Sequence, residues 1–174
     1  MRTLTVEETT RGSGATMTSI KDAAETFLDS RRIAVTGVSR TPASHGGNVV
    51  YRRLRELGYQ VFAVNPNADE VEGDRAYADL AAIPGGVDAV VVATRPEHAV
   101  GAVRQAVDLG VTQVWMHRSV DGGSVDPEAT RLGREHGLTV IDGGCPLMYG
   151  PDADRGHRVM CRLMTLTRRI PRQV

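Results

Sequence analysis

A chain of 174 residues with 41% hydrophobic residues is long enough for one domain with a substantial core and too short for two comfortable ones. Its formal net charge is zero, with 21 Lys and Arg against 21 Asp and Glu, so overall electrostatics give no reason to expect nucleic acid or an anionic membrane as partner. The sequence has neither an apolar run of the roughly 20 residues that span a bilayer nor a signal-peptide core, and we expect a cytoplasmic protein.

The N-terminal residues 1–19 are polar, rich in threonine and without hydrophobic periodicity. Such a segment buries too little apolar surface to offset the entropy of ordering it, and it predicts a disordered leader. The next segment, IKDAAETFLDS, has apolar residues at helical spacing and predicts a helix that covers the sheet. We therefore predict a single domain over residues 20–174, including a helix at the C-terminus.

Short β-branched runs then alternate with amphipathic runs along the chain. RRIAVTG, YQVFAVNP, VDAVVVAT, TQVWMH and LTVIDG predict strands, and GGNVVYRRLRELG, RPEHAVGAVRQAVDLG and DPEATRLGREHG predict helices. DRAYADLAAIPGG predicts a short extended piece followed by a short helix. The arginine-rich tail beyond Asp154 has periodic apolar residues and predicts the closing helix.

This alternation, with mostly short connections, is typical of right-handed βαβ crossovers. We predict an α/β fold, a three-layer Rossmann-like, doubly wound parallel sheet of five to six strands with helices on both faces. The expected strand order is 3-2-1-4-5 with a sixth strand at the edge. Ligands of such sheets bind outside the carboxyl ends of the strands, at the switch between strands one and four.

The loop after the first strand is the first candidate for a ligand site. Gly37, Val38 and Ser39 lead from that strand towards a helix, whose free N–H groups and dipole favour a phosphate. Ser39 and Thr41 add hydroxyl donors, and Arg40 adds charge. The alternative is that Gly37 only permits a tight turn between strand and helix.

A dinucleotide is the second candidate ligand, and the sequence departs from its pattern. Ser39 stands where the second glycine of G-x-G-x-x-G is expected, and the third glycine is also missing. Asn65, followed by Pro66, stands where an NAD site needs an acidic residue for the ribose hydroxyls. An NAD(P)-dependent oxidoreductase therefore remains the alternative reading, behind a site for another nucleotide.

Several motifs in unbroken order carry a resemblance to a known family. They are IAVTGVSR, GYQVFAVNP, YADLAAIPGGVDAVVVATRP, QAVDLGVTQVWMH and GREHGLTVIDGGCPLMY. The chain resembles the small stand-alone CoA-binding domain proteins, relatives of the CoA-binding domain of the succinyl-CoA ligase α subunit, over about Ser30 to Tyr149. The resemblance implies that CoA or an acyl-CoA is bound with its phosphates on the first loop.

In similar proteins a set of matching positions lines the cleft. In this chain they are Gly37, Val38, Ser39, Asn65, Pro66, Thr94 and Arg95. Arg95 supplies a bidentate fork for a phosphate, unless it is only a surface residue at the start of a helix. The segment HRSVDGGS departs from the family pattern and puts the polar pair His117 and Arg118 at a strand end that faces the cleft.

Cys145 and Cys161 are the two cysteines, too few for a disulfide framework and outside any metal-binding spacing. Cys145 follows the last strand in DGGCPLMY, and we count it among the cofactor contacts. The first interpretation of Cys145 is a small, buried hydrophobic residue. The second is a reactive cysteine that forms a reversible disulfide with the CoA thiol.

No catalytic constellation emerges from the sequence. The ligases that the chain resembles carry a phosphorylated histidine on a second domain, for which we expect no room in this chain. We therefore predict a CoA or acyl-CoA binding module that is not catalytic by itself. A homodimer is compatible with the sequence. An interaction module with a vestigial cleft is the third alternative.

Overall fold

The computed structural model describes residues 18–41, 46–119 and 122–149, together with residues 156, 159, 165, 166, 173 and 174. Most of the predicted leader and most of the predicted C-terminal helix lie outside the described residues. Thr18 pairs with Val174 through two backbone hydrogen bonds of 3.1 and 3.0 Å. The end of the chain therefore lies beside the start of the domain.

Four α-helices lie in the described part of the chain. They are α1 (Ile20–Leu28), α2 (Gly46–Glu56), α3 (Ala99–Asp108) and α4 (Pro127–Glu135), and short 3-10 turns cover Pro96–His98 and Pro146–Met148. Ser19 and Asp126 cap α1 and α4, because their side chains accept the N–H groups of Asp22 and Ala129. None of these described helices is long and apolar enough to cross a membrane.

Nine strands accompany the helices in the described ranges. They are β1 (Arg32–Thr36), β2 (Gln60–Val64), β3 (Glu70–Val71), β4 (Asp74–Tyr77), β5 (Ala89–Val92), β6 (Gln113–Met116), β7 (Arg118–Ser119), β8 (Gly122–Gly123) and β9 (Thr139–Asp142). Seven of them form one sheet in the order β3-β4-β2-β1-β5-β6-β9, in which β3 alone runs antiparallel. The six parallel strands follow the predicted order, and the predicted Rossmann-like fold is confirmed.

The side chains of the central strands alternate between two buried layers, as both faces of a parallel sheet require. One layer packs Ile33, Val91 and Trp115 against Phe27 of α1 and Leu54 of α2. The other packs the neighbouring positions of the same strands against α3 and α4; it includes Ala34, Val90, Val114, Val103 and Ala129. The sheet is therefore covered on both faces, and its carboxyl edge is left for a ligand.

Two local predictions were wrong or incomplete. The short helix expected after β4 is a series of turns, because Pro84 is followed by Gly85 and Gly86 with positive φ of 76° and 69°. The two-stranded hairpin of β7 and β8 directly after β6 was not predicted.

Candidate functional site

The loops after β1, β2 and β5 meet at the carboxyl edge of the sheet. Gly37 donates its N–H to Val64 O at 3.0 Å, and the Asn65 amide Nδ2 donates to Val38 O at 2.8 Å. The predicted site residues Val38 and Asn65 are thus joined directly, and Gly37 is bonded to Val64, the residue before Asn65. Their role as ligand contacts stays a prediction, but the structure brings them together.

Gly37 lies directly against the loop after β5. Its φ is +76°, and a Cβ built on it would lie 2.6 Å from Ala93 O and 2.8 Å from Thr94 N. Both the left-handed backbone and the backbone contact require glycine here. A substitution such as Gly37→Val should therefore disturb the fold as well as the loop, since any side chain would clash with backbone atoms of Ala93 and Thr94.

Asn48, a residue that the sequence analysis did not single out, holds the first loop to α2. It is fully buried, its Oδ1 accepts the N–H of Ser39 at 2.8 Å and its Nδ2 donates to Ser39 O at 2.8 Å. These two hydrogen bonds satisfy both backbone groups of Ser39, as pairing with a neighbouring strand would, and they fix the conformation of the loop. A lone asparagine in an amphipathic helix pattern carries no signal of such a role.

The same Asn48 amide donates to Glu72 Oε1 at 2.6 Å, and Arg52 Nη1 lies 2.9 Å from that oxygen. Glu72 sits in the turn between β3 and β4 with a φ of 53°, unusual for a residue other than glycine. The hydrogen bond from Asn48, followed by that from Arg52, lowers the pKa of the Glu72 carboxyl against its burial. The edge hairpin is therefore part of the support of the loop.

Two of the N–H groups between Gly37 and Thr41 have no acceptor among the described residues. Those of Gly37 and Ser39 are used by Val64 O and Asn48, and that of Thr41 donates to Ser39 Oγ at 3.1 Å. For the N–H groups of Val38 and Arg40, the described part of the chain offers no acceptor. Val38 is fully buried whereas Arg40 is exposed, so the Arg40 N–H is the one of the two that lies open to a ligand.

The first turn of α2 closes over this loop through two glycines. A Cβ on Gly47 would lie 3.1 Å from Gly37 O, and one on Gly46 would lie 2.6 Å from Cε1 of His117. The positive end of α2 thus lies beside the loop, the arrangement that favours a phosphate.

His117 lies at the end of β6 and is only 7% exposed. Burial lowers the pKa of its imidazole from 6.5 to about 4, because the charged form would lose its hydration. The ring is therefore neutral near pH 7.

This burial predicts a pH dependence of stability. Because the folded pKa lies below the unfolded one, the contribution of His117 is present above pH 6.5 and is lost as the pH falls towards 4. His117→Gln should recover about 2–3 kcal/mol of that loss at pH 4 in urea unfolding curves compared with pH 7. The exposed control His98→Gln should leave the curve unchanged, and a wild-type-like pH profile for His117→Gln would contradict the assignment.

The predicted cationic residues are exposed. Arg95 has a side-chain exposure of 78% and lies 3.3 Å from Glu97 Oε1, and Arg40 makes no ion pair with the described residues. Pro66 is exposed beside Asn65, whose Oδ1 accepts the N–H of Asn67 at 2.8 Å. The arginines are free to reach a ligand, whereas the Asn65 amide is already used within the protein.

Cys145 follows β9, the last strand of the sheet beyond β6, and shares a buried core layer with Val38 of the first loop. It is buried in the core layer under α1 and α2, and burial raises the pKa of its thiol to about 12. Such a thiol is protonated at neutral pH and is a poor nucleophile. The environment favours the interpretation of Cys145 as a small hydrophobe, and its predicted contact with the cofactor is untested.

A second concavity opens at the opposite, amino edge of the sheet. Its volume is about 490 Å³, and residues 28–31 and 57–60 line it. None of the predicted site residues lies there. Among the described residues, no group of three or more His, Cys, Asp or Glu side chains is placed to hold a metal ion.

The sheet order and the loops at its switch point define a Rossmann-like domain that is open at its carboxyl edge. The chain belongs to the CoA binding domain family, which it matches over residues 31–151. The earlier resemblance is thereby confirmed.

Comparisons with individual proteins are consistent with membership of this family. YneT, an uncharacterized protein of Bacillus subtilis (strain 168), is 33% identical over 67% of this chain and 83% of its own length. The alpha subunit of an ADP-forming acetate-CoA ligase II of Pyrococcus furiosus is 27% identical, but the chain spans only 27% of that subunit. The structure of a hypothetical protein from Pyrococcus horikoshii OT3 matches with a TM-score of 0.65 and 30% identity, over 72% of this chain and 84% of that one.

Proposed function

We propose that this protein binds CoA or an acyl-CoA at the carboxyl edge of its sheet and is not catalytic by itself. The observation that carries the proposal is the N–H group of the exposed Arg40, which has no acceptor among the described residues, in the loop beside the start of α2. This donor and the helix start are suited to the oxygens of a pyrophosphate, because backbone donors and a helix N-terminus favour anions without needing charged side chains. Membership of the CoA binding domain family supports CoA as the nucleotide.

The hydrogen bonds of the Asn65 side chain argue against NAD(P) as the ligand. An NAD site needs free acceptors at the end of the second strand for the ribose hydroxyls. Here Asn65 Oδ1 accepts the N–H of Asn67, and its Nδ2 donates to Val38 O. Since both ends of the amide hold the loop, a ribose would have to displace them.

The absence of catalysis is proposed from the groups near the cleft. The Cys145 thiol is protonated and buried, and the His117 imidazole lies against a glycine with no nucleophile or carboxylate hydrogen-bonded to it in the described part of the chain. A general base needs such a partner within hydrogen-bonding reach. Sensing, sequestering or delivering the ligand therefore fits better than transforming it. The proposed location is the cytoplasm, and the proposal is compatible with a homodimer.

Calorimetric titration with CoA, acetyl-CoA, NAD and NADP tests the ligand. We expect CoA or acetyl-CoA to bind and the dinucleotides to bind more weakly. Ser39→Trp should weaken CoA binding by more than about tenfold, roughly 1.4 kcal/mol, because the indole fills the space beside the Arg40 N–H.

Ser30→Trp, at the opposite edge of the sheet and also half-buried, is the matched control and should bind CoA as the wild type does. Tighter binding of NAD than of CoA would replace the proposal by the oxidoreductase alternative. No binding of any nucleotide would favour the interaction module.

A further inference from the structure

The side chain of Glu72 reaches from the turn between β3 and β4 to the first turns of α2. There its Oε1 accepts a hydrogen bond from the Asn48 amide Nδ2 at 2.6 Å and lies 2.9 Å from Arg52 Nη1. The backbone of Glu72 has a φ of 53°, a conformation that suits glycine better than a residue with a side chain. Residues held in such a conformation are concentrated at functional sites, so the contact with Asn48 calls for a functional explanation.

Asn48 connects Glu72 to the first loop. Its amide is fully buried, and the amide nitrogen donates both to Glu72 Oε1 and to Ser39 O, at 2.6 and 2.8 Å. An ionised carboxylate only accepts hydrogen bonds, so Glu72 keeps this nitrogen on its own side and leaves Oδ1 for the Ser39 N–H. Without Glu72, one N–H of the buried amide has no acceptor among the described residues, and a rotation that restores one would release Ser39.

The hydrogen bond to Ser39 O also sets the direction of the Arg40 N–H. These two groups belong to one peptide unit, which is planar and trans. In a trans peptide the oxygen and the N–H hydrogen point in opposite directions, so a Ser39 oxygen held by Asn48 turns the Arg40 N–H away from Asn48. The open donor of the proposed phosphate site is therefore aimed by the Asn48 amide.

The charge of Glu72 is compatible with an anion site nearby. An unpaired carboxylate would repel a pyrophosphate, but Arg52 neutralises this one across 2.9 Å. The hydrogen bond from Asn48, followed by that from Arg52, lowers the pKa of the Glu72 carboxyl, so it is ionised near pH 7 and acts only as an acceptor. The other charged groups around it are Arg55, which donates to Glu72 O at 3.3 Å, and Asp74, which pairs with Arg55.

We propose that Glu72 is a positioning residue for the phosphate site: through Asn48 it holds the Ser39–Arg40 peptide in the orientation that offers the Arg40 N–H to the ligand. Glu72 acts without touching the ligand. The inference rests on the proposed function and adds that a side chain of the edge hairpin, the segment of β3 and β4, determines the affinity for CoA. Removal of the side chain should therefore weaken binding by more than the loss of hairpin stability explains.

Glu72→Ala and its matched control Asp74→Ala separate positioning of the loop from support of the hairpin. Asp74 also joins the hairpin to α2, because it accepts from the Tyr51 hydroxyl at 2.8 Å and pairs with Arg55, but it has no hydrogen bond to Asn48. Both variants should be less stable in urea unfolding. At a temperature where both are folded, only Glu72→Ala should lower CoA affinity in calorimetry, by about three- to tenfold. Only Glu72→Ala should shift the Arg40 amide resonance in the ¹H–¹⁵N NMR spectrum of the free protein.

Two further variants at Glu72 test the hydrogen bond itself. Glu72→Gln keeps an acceptor oxygen and should retain most of the CoA affinity. Glu72→Asp tolerates the positive φ but is one methylene shorter, so it should lose affinity as Glu72→Ala does, and it replaces that variant if the alanine protein does not fold.

Wild-type CoA affinity in the shortened variants, an equal loss in Asp74→Ala, or an unchanged Arg40 resonance would overturn the positioning role while leaving the proposed function in place. Failure of the wild type to bind CoA would overturn both.

Discussion

Gly37→Ala should lower the free energy of unfolding by about 3–4 kcal/mol. Two costs add at this position. A side chain in the left-handed region costs roughly 1–2 kcal/mol. The remainder is steric, because the new methyl group would lie 2.6 Å from Ala93 O and 2.7 Å from Ala93 C. Those backbone atoms follow β5 in the centre of the sheet and cannot withdraw as a flexible side chain does.

Two other glycines separate the costs. Gly58 has a φ of +88° and open space around its Cβ position, so Gly58→Ala should cost only about 1 kcal/mol. Gly101 lies in α3 with no atom within 4 Å, and Gly101→Ala should stabilise the protein by about 0.5–1 kcal/mol. Urea unfolding of the three variants gives the comparison. If Gly37→Ala is no less stable than Gly58→Ala, the close approach of the two loops is absent in solution.

The fold could be predicted because the sequence pattern identifies the buried strands. Residues 89–93, AVVVA, have no polar side chain on either face, as a central parallel strand requires, and the glycines that follow α2, α3 and α4 mark the return to the sheet. Once the strand order follows, the loops after β1, β2 and β5 must meet. The neighbourhood of Gly37, Asn65 and Thr94 was therefore accessible from the sequence.

The residues that hold the first loop in place could not be predicted from the sequence, because their role depends on contacts between distant positions of the chain. Asn48 contacts Glu72 across 24 positions, through a hairpin of two very short strands that has no hydrophobic signature. Which N–H groups of the first loop stay free is likewise decided by Val64 O and Asn48. The turns after β4 took the place of a predicted helix because local glycines and a proline outweighed a weak periodic pattern.

Asn48→Asp is expected to be the other strongly destabilising substitution, by about 3–5 kcal/mol at pH 7. The exchange of one nitrogen for oxygen removes the donor to Ser39 O and to Glu72 Oε1, which accept it at 2.8 and 2.6 Å. It also sets a second carboxylate against that of Glu72 in a fully buried position. The exposed substitution Asn67→Asp, the same chemical change on the same edge, should alter stability by less than about 0.5 kcal/mol.

The pH dependence of the Asn48→Asp variant follows from these charges. Burial and the neighbouring carboxylate raise the folded pKa of the new carboxyl above its unfolded value, so the penalty is complete above the folded pKa and fades as the pH falls. Meanwhile the wild type loses the stabilisation due to the lowered pKa of Glu72 as acid protonates that group. The difference in unfolding free energy between the two proteins should therefore shrink between pH 7 and pH 4.

A second substitution makes the contact itself measurable. In Glu72→Gln the side-chain amide can donate to the new carboxylate, so the double variant Asn48→Asp/Glu72→Gln should be more stable at pH 7 than the sum of the two single changes by at least about 1 kcal/mol. Additive effects would mean that Asn48 and Glu72 do not touch in solution. Because Asn48 also holds both backbone groups of Ser39, a recovered fold with weak CoA binding would show that the geometry of the loop, beyond its stability, depends on this amide.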